Sequence, residues 1–269
     1  VVSSAVIMGG SGSSGFVGDA GLDSCAERTG MFEGVGLRFE AFPGGIHVDV
    51  QIVQAMVGVL EAKDLSTAAH TWRVVLYTRV LAQKAGVTAD VLHRLTHAAA
   101  LHDVGKIEIP EEILQKPGPL TPAEYEVMKT HAPLGHERLV RMQEEDPILL
   151  HLVRHHHERF DGLGYPDKLA GADIPAVARY FAVVDSFDAL TSHRHYRHDV
   201  GEDAARRALV ELQAGAGTRY DPDAVALFTD LYHEGRVEPI LRRFGDKSDI
   251  PTHDQLDRVH DFGAKLLEG

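Results

Sequence analysis

Residues 101–121 read LHDVGKIEIPEEILQKPGPLT, and the first six of them decide how the rest of the chain is understood. His102 and Asp103 set an imidazole nitrogen beside a carboxylate oxygen. That donor pair suits a divalent transition metal working near phosphate oxygens. Lys106 follows one helical turn after His102, where its ammonium can lean over the same face and hold or neutralise a phosphate. A His-Asp dipeptide alone is common, so its meaning rests on what the chain supplies at a distance.

Outward from this stretch the pattern is helical. Upstream, apolar positions from Trp72 to Ala85 recur at helical spacing and stop at Gly86; Thr88-Ala89-Asp90 then caps a helix that runs into His102. Downstream, Thr121-Pro122-Ala123-Glu124 combines a capping box with a proline in the first turn, and a helix through Met128 and His131 follows. Pro147 opens another helix that ends near His155-His156-His157-Glu158. The stretch 161–166, DGLGYP, is a loop by its glycines and proline. Pro175 opens a helix from Ala176 to Leu190, and Asp221-Pro222 opens one more.

Before residue 50 the texture differs. Residues 8–21 are rich in Gly and Ser, as in a flexible segment or long loop. Leu37, Phe39 and Ala41, the turn Pro43-Gly44-Gly45, and Ile46, Val48 and Val50 alternate as a small β-hairpin would. Val53, Val57 and Leu60 then adopt helical spacing. The expected fold is mainly all-α: a small N-terminal region over 1–49, regulatory or a fragment, a helical domain over 50–234, and a C-terminal helical extension over 235–269 marked by Leu256, Val259, Phe262 and Leu266.

Composition narrows the partners. The formal net charge of -13 makes polymeric nucleic acid a poor partner for the bulk surface, although a small anion can bind where cations gather. No run of about 18 apolar residues exists, so no membrane span is expected. The start, VVSSAVIMGGSGSSG, has no basic n-region and does not read as a signal peptide; it also lacks an initiator Met, as a fragment or trimmed chain would. One cysteine, Cys25, excludes an internal disulfide and fits the cytoplasm.

Of the 17 histidines, nine fall between His93 and His157. His70, His102, Asp103, His131, His156, His157 and Asp185 lie on elements that can pack together, and helical bundles build metal sites from ligands that project inward from facing helices. Seven N and O donors are too many for one tetrahedral ion and suit two ions sharing a carboxylate, for which Asp103 is the central candidate. Taken singly, each has an ordinary alternative. A lone His70 or His131 is most often a surface or partly buried histidine, and three consecutive histidines cannot all face one ion. Asp185 sits in the apolar run Phe181-Ala182-Val183-Val184, where a carboxylate needs a partner. Asp188, one turn on, orients a ligand or caps a turn. Arg194 and Arg197 share a helical face as an exposed basic edge or a phosphate clamp. His93 and His97 have i,i+4 spacing, but their helix already points His102 and Asp103 elsewhere.

Together these segments resemble the HD-GYP subgroup of the HD phosphohydrolase superfamily. DLSTAAHTWRV (64–74) resembles its opening ligand segment, LHDVGKIEIPEEILQKPGPLT its central motif, MKTHAPLG (128–135) its third segment and HHERFDGLGYP (156–166) the segment that names it. AVVDSFDALTSHRHYR (182–197) and GAGTRYDPDAV (215–225) resemble the last two. The match covers roughly 50–234, in order.

The resemblance implies an HD-type helical bundle and hydrolysis of cyclic di-GMP to pGpG, GMP or both. It implies His70, His102, Asp103, His131, His156, His157 and Asp185 as metal ligands, with His155 outside the set. Asp103 and Lys106 take the catalytic positions. Lys106, Tyr165, Asp188, Arg194 and Arg197 take substrate-binding positions, the two arginines on guanine and phosphate. A diguanylate cyclase (GGDEF) partner at the Tyr165 loop is implied as well. Three positions depart from the pattern: Ala132 and His195 stand where the family usually has Pro, and Ser66 stands four residues before His70 where members with three metals resemble one another in having Glu. Serine is a poor ligand, so two divalent ions are expected, Fe or Mn first, with Zn, Co and Ni permitted by donor type. Two other functions fit the same residues: a cyclic di-GMP receptor with little turnover, and an HD hydrolase acting on another cyclic dinucleotide.

Overall fold

The computed structural model describes residues 49–63, 65–192 and 202–243. They form eleven α-helices: α1 (Val50–Lys63), α2 (Leu65–Lys84), α3 (Ala89–Leu101), α4 (Glu111–Leu114), α5 (Pro122–Lys129), α6 (His131–Arg141), α7 (Pro147–His155), α8 (Ala176–Thr191), α9 (Glu202–Ala214), α10 (Pro222–His233) and α11 (Glu238–Arg243). A 3-10 turn, Val104–Glu108, follows α3. No strand occurs among the described residues, in keeping with the expected all-α bundle.

The core gathers around α2 and α8. Trp72, Val75, Leu76 and Tyr77 from α2 and Phe181, Val184 and Phe187 from α8 are all buried. The Tyr77 ring meets Phe187 edge-on at 5.6 Å and Phe228 of α10 at 6.3 Å. α3 packs between α2 and α7, α6 lies on α7 and the 3-10 turn, and α9 and α10 close the far side of α8. Burying these rings together with the many aliphatic side chains around them supplies the drive for such a bundle.

Local signals place four of the helix starts. The Thr88 side chain accepts from Val91 N–H, and the Thr121 and Glu124 side chains complete a reciprocal capping box. The carboxylates of Asp146 and Asp221 cap α7 and α10, each followed by proline in the first turn.

Three expectations change. Val50 opens α1 rather than closing a strand; the rest of the expected hairpin lies outside the described residues. The single helix expected through Met128 and His131 is two helices broken at Thr130. Pro133 has no N–H to give the Lys129 carbonyl, so a helix continuing through it would lose that bond and kink or break, and Pro133 instead occupies the first turn of α6. The packed unit also runs past residue 234, since Val237 and Ile240 are buried. The apolar series from Leu256 lies outside the described residues.

Candidate metal centre

Helix ends supply most of the donors. His102 is the C-cap of α3, Asp103 precedes the 3-10 turn, His131 is the first residue of α6, and His156 and His157 follow the last residue of α7. His70 and Asp185 instead project from within α2 and α8. The ends meet because Gly105 has no side chain: a Cβ there would lie 1.9 Å from the His131 carbonyl oxygen and 2.5 Å from Gly135 N. That approach seats the 3-10 turn on α6 and carries Asp103 to His131.

Two donor groups result, each with its ligating atoms within 4.8 Å of one another: His70, His102 and Asp185, and Asp103, His131, His156 and His157. In the first, His70 Nε2 lies 3.2 Å from His102 Nε2 and 3.5 Å from Asp185 Oδ1. In the second, His131 Nε2 lies 3.2 Å from His156 Nε2. Asp103 touches both groups: Oδ1 is 3.3 Å from His131 Nε2, and Oδ2 is 3.2 Å from His102 Nε2.

The other ring nitrogens fix the tautomers. His102 Nδ1 donates to Ala99 O at 2.8 Å, His131 Nδ1 to Met128 O at 2.7 Å and His156 Nδ1 to Val153 O at 3.0 Å. His70 Nδ1 donates to Asp188 Oδ2 at 2.8 Å. Carbonyl and carboxylate oxygens only accept, so each Nδ1 carries the proton and each neutral ring turns an Nε2 lone pair inward. Lone pairs facing at 3.2 Å repel unless a cation lies between them. Nitrogens held at ~2.0–2.1 Å from one ion sit ~3.0–3.4 Å apart, so the spacing fits metal ligation.

Electrostatics agree. Burial lowers His131, and burial together with the neighbouring imidazoles lowers His156 further; His157 is pushed down to about 3 in the same way, so these rings stay neutral donors. Burial lowers His102 too, but Asp103 and Asp185 outweigh it and raise it on balance. The carboxylate field that favours a proton there favours a metal ion equally. Asp103 resists burial, with His102 and Lys106 holding it well below the usual carboxylate range.

A sequence profile for the family described as HD domain matches residues 56–224. The chain belongs to the HD domain family. A cyclic di-GMP phosphodiesterase of Thermotoga maritima is 36% identical over 200 residues, 73% of this chain and 52% of that protein. A 3'3'-cGAMP-specific phosphodiesterase 2 of Vibrio cholerae is 35% identical over 206 residues, 74% of this chain and 38% of that protein. The chain thus spans about half, or less, of the length of these relatives. The crystal structure of a cyclic GMP-AMP specific phosphodiesterase of V. cholerae shares the fold with a TM-score of 0.54 at 17% identity, over 81% of this chain and 54% of that one.

Around the two donor groups the HD domain places the other expected residues unevenly. Lys106 Nζ lies 2.5 Å from Asp103 Oδ2, within the 3-10 turn rather than on a continuing helix. The Tyr165 ring packs on His157 at 4.9 Å with Lys129 Nζ 5.8 Å from its centre. Arg194, His195 and Arg197 lie outside the described residues, as does the Ser66 side chain; position 66 is on α2, one turn before His70.

Asp188 requires a correction as a substrate contact. It is fully buried, and both oxygens are taken: Arg73 Nε donates to Oδ1 at 2.6 Å, while Arg73 Nη2, His70 Nδ1 and the Ser192 hydroxyl reach Oδ2 at 3.0, 2.8 and 3.0 Å. Burial opposes its charge, but Arg73 and His70 depress its carboxyl far below the ordinary value. Asp188 orients His70 instead of meeting a ligand. Arg73 is the residue that sequence reasoning missed. Its signal was a charge three residues after His70 inside the run Trp72 to Tyr77, a buried face that needs a counter-ion.

Proposed function

We propose that this chain is a metal-dependent phosphodiesterase that opens cyclic di-GMP to linear pGpG, or on to GMP, at a centre of two divalent ions. The observation that carries it is the Asp103 carboxylate lying between two sets of inward-facing Nε2 lone pairs. His70, His102 and Asp185 would hold one ion and His131, His156 and His157 the other, with Asp103 shared. Serine at position 66 supports two ions rather than three. Iron or manganese is favoured, and zinc, cobalt or nickel is compatible with the donors. Ions held there supply an activated water and stabilise charge on the phosphoryl oxygens.

The chain's own groups do the rest. Lys106 keeps Asp103 ionised and retains N–H donors for a substrate phosphate. Arg194 and Arg197 offset substrate charge in an acidic protein, and Tyr165 borders the pocket through its contact with His157. Asp188 holds the His70 tautomer. Residues 50–234 carry the chemistry. The segments at 1–49 and 235–269, a diguanylate cyclase partner at the Tyr165 loop and a cytoplasmic setting belong to the same proposal.

The test is turnover. Purified chain loaded with Fe(II) or Mn(II) should convert cyclic di-GMP to a linear product resolved by chromatography; substrate left intact under both loadings defeats the enzyme reading, and tight binding without product makes the chain a receptor. The relative named as 3'3'-cGAMP-specific, at 35% identity, favours one second reading, the mixed cyclic dinucleotide. Comparing kcat/KM for the two substrates separates them.

A further inference from the structure

The end of α7 carries a second cluster that the metal centre does not use. His155 closes α7, Glu158 lies three residues on, and Asp167 follows the 161–166 loop. Their ligating atoms lie within 4.8 Å of one another. His155 is 8% exposed and Glu158 4%. His155 Nδ1 and Glu158 Oε2 are both buried and make no hydrogen bond. Glu158 is not loose: its Oε1 accepts from the Asp167 backbone N–H at 2.7 Å, which fixes the carboxylate with Oε2 in the gap. Asp167 brings Oδ2 to 3.4 Å from His155 Nδ1.

A buried carboxylate oxygen and a buried imidazole nitrogen left without partners are costly, and a shared ligand removes both costs at once. One imidazole with two carboxylates is a donor set that zinc accepts, leaving a position for water. Charge permits it. Arg154 forks Asp167, Nε to Oδ2 at 2.8 Å and Nη2 to Oδ1 at 2.7 Å, and so offsets one carboxylate. Glu158 Oε2 accepts no hydrogen bond, and each Asp167 oxygen keeps a further lone pair. His151, one turn before His155 with ring centroids 6.0 Å apart, adds a second imidazole on the same face.

We propose that His155, Glu158 and Asp167 form an additional divalent-metal site of zinc type, separate from the His/Asp centre, that pins the end of α7 to the loop carrying Gly164 and Tyr165. Its ion performs no chemistry. It ties the loop beside the pocket to the helix that delivers His156 and His157.

The test uses the full chain, stripped with chelator and dialysed against zinc alone. Asp167→Asn and Glu158→Gln preserve size, and Glu158→Gln keeps an acceptor for the Asp167 N–H while removing charge. Each variant should hold about one zinc fewer than the unmodified chain by elemental analysis, with an unchanged helical circular dichroism spectrum. Zinc-edge anomalous density should appear between the three side chains in crystals of the unmodified chain and vanish in Asp167→Asn. His102→Ala should lower zinc content independently, which separates this site from the first. Full zinc content in both carboxylate variants, or no anomalous signal between the three residues, overturns the proposal.

Discussion

The two donor groups of the metal centre are held by different means. His131 and His156 are oriented by main-chain carbonyls, Met128 O and Val153 O, and both are buried at helix ends; His102 of the other group is held the same way by Ala99 O, so the two groups part company at His70. His70 is oriented by a side-chain relay, Asp188 with Arg73 and Ser192, and remains partly exposed together with Asp185. A backbone-held ligand moves only if the helix moves. A relay-held ligand can be released by one substitution that leaves the fold in place. The His131 group is therefore tied to folding, whereas the other group is tied to it through His102 and tunable at His70.

The largest effect should come from the residue shared by both halves. Asp103→Asn keeps shape but removes the charge lying between His102 and His131. Turnover should fall by at least ~10³-fold, about 4 kcal/mol in the barrier, with metal content lost from both halves. Loss from one half only, by elemental analysis, would show that Asp103 does not join them.

Next comes the backbone-held half. Gly105→Ala forces a Cβ to 1.9 Å from His131 O, so the 3-10 turn and α6 must part. Overpacking of this kind costs about 1–3 kcal/mol or more, so thermal unfolding should come earlier and His131-side metal should go with it. In contrast, Asp188→Asn should leave the His131 side intact and weaken metal affinity on the His70 side about 10–100-fold, the usual consequence of losing a partner that orients a ligand. Equal loss on both sides in metal titrations would erase the distinction between the halves.

The contrast also marks how far sequence carries. Helix starts at Thr121, Pro147 and Asp221-Pro222 were legible because a cap or a first-turn proline lies within three residues of each start. The break at Thr130 was legible in principle through Pro133, but the apolar series across it masked the missing donor. The candidate donors emerged from motif resemblance and not from spacing, since residues as far apart as His70 and Asp185 are joined only by packing. Arg73 and Asp188 meet across 115 positions, and no local pattern announces that pair. The close approach of Gly105 to His131 is likewise a property of two helix ends and belongs to neither segment alone. Cα-level order was thus readable where physics is local, and the relay was not.

The two halves should differ in acid as well. In metal-stripped protein His131, His156 and His157 have depressed folded values, so the unfolded chain binds more protons and stability falls as pH drops below about 6.5. His102 is raised, so its contribution is fully present below about 6.5 and is lost as pH rises through its folded value. Burial depresses His136, His151 and His155 as well, so six depressed groups oppose one raised group among the described residues, and the net loss between pH 7 and pH 6 should be on the order of 2–3 kcal/mol, read from urea midpoints. Replacing His102 by Ala removes the opposing contribution and should steepen the loss; replacing His157 by Ala should flatten it. Identical slopes in the two variants would mean that the imidazoles titrate as one pool, and the electrostatic difference between the halves would then be absent even though their geometries differ.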